Sequence, residues 1–174
     1  MGTLNAFYVR ATDANASAAI RAKFPKGEIE MGTDFCGVTM PDDTFETPER
    51  DLMELSAQLK TDVIWLSFQS AVEAFEFHHW RAGERLRSLV YGCFQERTWE
   101  RADGTPEPWE RAALFTPKKL ERNLRYANKD EEKQTLERIW REAEIQPGGI
   151  QPSLDARESA RAVAQHFHFP GWGL

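Results

Sequence analysis

Three extended-type runs stand almost end to end at residues 63–69, 72–80 and 85–91, and no other feature of the chain limits its fold so strictly. Valine, isoleucine, phenylalanine, tryptophan and tyrosine recur through them, the residue types that suit a pleated, half-buried surface. The spacing predicts a three-stranded antiparallel meander. Its second turn, Arg81-Ala82-Gly83-Glu84, has glycine where a tight hairpin needs positive φ. Side chains alternate across a strand, so Phe75, Phe77 and His79 share one face, and Val72, Ala74, Glu76, His78 and Trp80 share the other.

Upstream, residues 4–10 alternate as a first strand, and Thr12 or Asp13 can cap the alanine-rich helix that ends at Pro25. Residues 28–40 predict one bent strand or two short ones, closed by Pro41. A polar loop at 42–46 leads to Thr47-Pro48, read as an N-cap and first-turn proline, and the helix beyond buries Leu52, Leu55 and Leu59. With Asp103-Gly104, Pro106 and Pro108, residues 91–115 read as a loop with brief extended pieces. The triplet Trp-Glu-Arg at 99–101 and 109–111 is too short to define a structural repeat. Thr116-Pro117 opens a further helix, residues 130–143 form another around Leu136, Ile139 and Trp140, and Ser153 is expected to cap a last one. The rings of Phe169 and Trp172 should dock the tail on the body, since exposing both would be costly.

The expected order is β-α-β-α-β-β-β followed by helices: an α+β chain with a mostly antiparallel sheet, whose layering resembles the ferredoxin-like arrangement. At 174 residues one core is expected, a single domain over 1–174 with a sheet core at 1–115 and a helical extension at 116–174 packed on it. Such a likeness of layers says nothing about function.

Composition excludes some functions. Net charge −6 and a pI near 5.3 make nucleic acid a poor partner, because the summed field repels phosphate backbones. A base-rich stretch, Lys118, Lys119, Arg122, Arg125 and Lys129 against Glu121, reads as a solvated helix face rather than a phosphate reader, and residues 28–54 hold nine acids against Arg50 alone. The longest apolar run, 63–66, is far short of the roughly 20 residues a membrane helix needs, so no membrane partner is expected. Cys36 and Cys93, without a CxxC or Cys/His cluster, and an N-terminus that does not read as a secretion signal, point to reduced thiols in a bacterial-type cytoplasm. The Asn15-Ala16-Ser17 sequon is then idle.

Neither GxxxxGK[ST], GxGxxG nor GxSxG occurs, and no cofactor is expected. Histidine is confined to two pairs, His78-His79 and His166-Phe167-His168. If the last helix packs near the hairpin, one member of each pair with Glu76 makes a three-ligand metal site, although neighbouring strand residues cannot both ligate one ion. The structural alternative puts His79 beside Phe77 in the core and the other three at the surface. Cys93, with His78 or His79 as base, is a candidate nucleophile whose alternative is a buried, inert thiol. Nothing fixes Glu73, Glu76, Glu96 or Glu100 as an acid/base pair. The preferred functional expectation is a non-enzymatic binding or protein-interaction module with Trp80, Trp99 and Trp109 as contact anchors. Its partner is a protein or a second copy of the chain paired through an edge strand, the first strand or the Val63 run. A small enzyme using the histidines, with or without metal, on a polar substrate is the alternative.

Overall fold

A computed structural model of the chain describes residues 2–41, 44 and 46–173. The loop expected at 42–46 therefore lies partly outside the described residues. Seven strands, β1 (Thr3–Val9), β2 (Glu28–Met31), β3 (Cys36–Thr39), β4 (Asp62–Gln69), β5 (Ala74–Arg81), β6 (Glu84–Tyr91) and β7 (Trp99–Gly104), build one sheet in the order β2-β3-β1-β4-β5-β6-β7. Every neighbouring pair is antiparallel. The helices are α1 (Ala14–Lys23), α2 (Glu49–Leu59), α3 (Pro108–Leu114), α4 (Pro117–Tyr126), α5 (Asp130–Glu142) and α6 (Ala156–Phe167).

The meander forms β4, β5 and β6, with Val63 opposite Trp80 and His78 opposite Ser88. Ala82 and Gly83 both take positive φ, 49° and 88°, as a two-residue hairpin turn with the twist of its strands requires. The middle strand starts later than its apolar pattern suggests: Val72 belongs to the turn before it and is half exposed. Asp13 caps α1 by accepting the Ala16 N–H, and Thr116 caps α4 through the Lys119 N–H.

Alternation sorts the sheet's side chains into two cores. On one face Phe7, Val9, Val63, Trp65 and Trp80 pack with Ile20 of α1 and with Leu52 and Leu55 of α2. On the other Tyr8, Ile64, Leu66, Phe75, Phe77 and Leu89 meet Trp109 and Leu114 of α3, Trp140 of α5, and Ala160, Val163 and Ala164 of α6. The tail docks there too, with Phe169 stacked on Tyr8 at 3.7 Å between ring centroids.

Several expectations need correction. The observed order is β-α-β-β-α-β and then three more strands: 28–40 takes the two-strand form of its expectation, the hairpin β2/β3, and 91–115, expected as a loop with brief extended pieces, holds strand β7 and helix α3. There Trp99 and Trp109 are pulled fully into the core, and α3 begins with Pro108 at its first position while Glu110 accepts the Glu107 N–H. Asp155, not Ser153, caps α6, accepting the Glu158 N–H. The first strand and the Val63 run are not edges: β1 lies between β3 and β4, and β4 lies between β1 and β5, so their backbone groups are already paired. The edges are β2 and β7. Among the described residues no helix is long and apolar enough to cross a membrane.

Candidate functional site

Strand alternation sends His79 and His78 to opposite faces, and each is taken into a different polar network. The His79 ring lies between two carboxylates, with Nδ1 at 2.6 Å from Glu107 Oε1 and Nε2 at 3.0 Å from Asp62 Oδ1. Burial alone would lower its pKa, but the bonds to Asp62 and Glu107 outweigh it and the value is raised. Asp62 also accepts Arg81 Nε at 2.6 Å; burial would raise its carboxyl, yet the His79 and Arg81 contacts hold it at about 2. Beside this group Arg87 makes a bidentate pair with Glu110, Nε–Oε1 2.8 Å and Nη2–Oε2 2.6 Å, with both side chains at most 2% exposed. These charges fasten the first turn of α3 to β4, β5 and β6. They are saturated with one another and offer little to a ligand.

The other face holds an open, partly polar cleft of about 540 Å³. Packing of α2 covers one end of that face through Leu52 and Leu55; beyond it, towards β4 Gln69 and β5 Ala74, the sheet presents polar groups instead. Glu76 lies there, its carboxylate accepting from the Thr47 hydroxyl and from Trp65 Nε1 at 3.2 Å. His78 Nε2 stands 3.7 Å from the same oxygen. Burial pushes Glu76 up, but the His78 ring and the Thr47 hydroxyl, followed by the Trp65 N–H, leave it below the usual carboxylate range. It is therefore an anion at neutral pH. Ser67 donates to Asn5 Oδ1 at 2.7 Å, and Asn5 Nδ2 donates to the Thr44 carbonyl at 3.2 Å, so that wall is preorganised. Glu46 adds a second carboxylate to the lining, and among the described residues that line the cleft there is no lysine or arginine. At the rim Phe94 is 91% exposed, on a loop whose Phe94 N–H is held at 2.7 Å by Glu100.

From Glu76 a polar line runs through His78 to Ser88, Nδ1 to Oγ being 2.8 Å. Carboxylate, imidazole and hydroxyl are the parts of a nucleophilic triad. Here the hydroxyl is wholly buried and lies 3.5 Å from Arg101 Nη1, so a substrate carbonyl cannot reach it. Cys93, on the cleft wall, has no histidine partner among the described residues; its Sγ points at the Tyr91 and Phe75 carbonyls. Burial first, then Glu76 and Glu100, push the thiol up to about 12. A thiolate nucleophile is not available there.

Of the metal candidates, the structure brings together only Glu76 and His78. His79 is on the far side of the sheet, and His166 and His168, at the end of α6, are exposed. Among the described residues no group of three His, Cys, Asp or Glu side chains is placed to hold an ion. His78 is also not at the surface, as the structural alternative had it, but 1% exposed. The proposed anchors Trp80, Trp99 and Trp109 are 0%, 0% and 2% exposed: their rings serve the two cores and present no contact surface. The Thr47-Pro48 pattern predicts a helix cap, yet α2 begins without a side-chain cap and the Thr47 hydroxyl donates to Glu76. Asn5, Ser67 and Phe94 carry no sequence signal beyond polar residues on strands and a ring beside a turn. No family model, no curated protein and no solved structure matches this chain.

Proposed function

We propose that this chain is a non-enzymatic protein-interaction module that takes a basic side chain of its partner into the Glu76 cleft. The observation that carries the reading is an anionic, largely buried Glu76 in a cleft lined by carboxylates and neutral hydrogen-bonding groups, with no lysine or arginine among the described lining residues. An ammonium or guanidinium entering it gains a charge-assisted hydrogen bond in a partly dry site, the strong class of such bonds. A protein, rather than a free amine, is favoured by the rim. Phe94 is almost fully exposed, and Val72, in the turn between the lining residues Gln69 and Ala74, is 52% exposed, so two apolar contacts flank the charged hole. A reducing, cytoplasmic setting fits two free thiols. On strand order alone, with α1 and α2 on one face, we also read β1 to β4 as a ferredoxin-like layer; it positions the cleft and implies no activity.

Titration of ¹⁵N-labelled protein with a capped lysine tripeptide, and with its norleucine analogue, tests the reading. The Trp65 indole resonance should move saturably with the lysine peptide only, and Glu76→Gln should abolish the shift. Equal response to norleucine, or none at millimolar lysine peptide, would refute it. The runner-up is hydrolytic chemistry on the Glu76, His78 and Ser88 line; it requires ester cleavage that disappears in Ser88→Ala, and the burial of Ser88 argues against it.

A further inference from the structure

A second cavity, of about 350 Å³, lies where the tail crosses β1 and β3. Tyr8 of β1, Phe68 of β4 and Trp172 of the tail supply rings, the last two with centroids 6.3 Å apart. Opposite them the first two turns of α6 contribute Arg157 and Arg161, four residues apart and therefore on one helical face. Both arginines are exposed residues, and among the described residues neither has an ion-pair or hydrogen-bond partner. Among the described residues Glu30 is the one carboxylate in the lining, and it lies against Gly171 of the tail. Tyr8 is 4% exposed, and its hydroxyl accepts the Trp172 Nε1–H at 2.9 Å. Nothing among the described residues accepts the hydroxyl's own proton, and burial pushes its pKa up to about 12, so that proton stays available as a donor.

We propose that this cavity binds a small planar anion, a single ring carrying one carboxylate or phosphate group. The anionic group sits on Arg157 and Arg161, which suit its flat, oxygen-rich geometry better than lysines would. The ring lies against Trp172 and Phe68, and the Tyr8 hydroxyl donates to a polar atom of the ligand. Size supports one ring: the volume is near the lower end of small-molecule sites, which run from roughly 300 to 1,000 Å³. Glu30 on the facing wall repels a second negative group.

The test follows the Trp172 indole N–H resonance, assigned through Trp172→Phe, during addition of phenyl phosphate, benzoate, inorganic phosphate or benzyl alcohol. Phenyl phosphate or benzoate should shift it saturably. Inorganic phosphate, which lacks the ring, and benzyl alcohol, which lacks the charge, should bind at least tenfold more weakly. Arg157→Gln with Arg161→Gln should lose at least tenfold; both side chains are at the surface, so the fold is preserved. The proposal is overturned if neither aromatic anion binds at millimolar concentration, if benzyl alcohol binds as tightly, or if the double variant binds undiminished.

Discussion

Replacing Arg87 by methionine removes one half of the most deeply buried ion pair among the described residues. Arg87 gives two hydrogen bonds to Glu110 and a third, from Nη1, to the Gly104 carbonyl at 2.9 Å, and neither side chain exceeds 2% exposure. Breaking such a pair from one side strands a charge in the interior and costs about 3 to 5 kcal/mol. At roughly 2 to 4 °C per kcal/mol for a chain of this size, Arg87→Met should melt about 6 to 20 °C lower. The loss should also depend on pH. In the intact protein burial already lifts Glu110 above the ordinary carboxylate range more than Arg87 and the Glu107 N–H lower it. Without Arg87 the value rises further, so the native state keeps its proton when the unfolded chain has released it, and stability falls as pH rises between the two values. The deficit is thus smallest near the unfolded glutamate pKa of about 4.3 and largest at neutral pH. Arg87→Met/Glu110→Met should recover most of it, falling short chiefly by the lost Glu107 N–H acceptor, about 1 kcal/mol. Urea unfolding of the four proteins at weakly acid and neutral pH measures all of this. A single-variant loss under about 1 kcal/mol, or one equal at both pH values, would refute the reasoning.

His79 should show a pH dependence of the same sign in a higher window. Its raised pKa means that its stabilisation is complete below the ordinary histidine value of about 6.5 and is lost as pH rises through the folded value, so melting temperature should decline there in the intact protein and flatten in His79→Gln. Asp62, held at about 2, should add stability that is present above its unfolded value of about 3.9 and lost as pH falls through the folded one, a slope that Asp62→Asn removes. Both thiols should resist iodoacetamide in the native state at neutral pH, since burial pushes Cys36 to about 11 and Cys93 to about 12; alkylation of Cys93 at the rate seen in the unfolded chain would contradict the site as described.

Contacts between residues close in the chain were legible from the residues themselves. Alternation at 63–91 marked the meander, Gly83 its tight turn, Asp13 and Thr116 two helix starts, and the leucines of α2 their stripe, because each depends on neighbours a few positions away. Even Glu107-Pro108-Trp109-Glu110 carried a helix-start signal, masked by prolines that suggested a loop. Long-range packing decided the rest. Whether the Thr47 hydroxyl caps α2 or binds Glu76, whether Trp80, Trp99 and Trp109 face water or the core, and which strands are edges depend on what lies opposite in space. So do the ionisation states of His79, Glu76 and Cys93, since desolvation and charge partners shift a pKa only once distant strands and helices have enclosed the group.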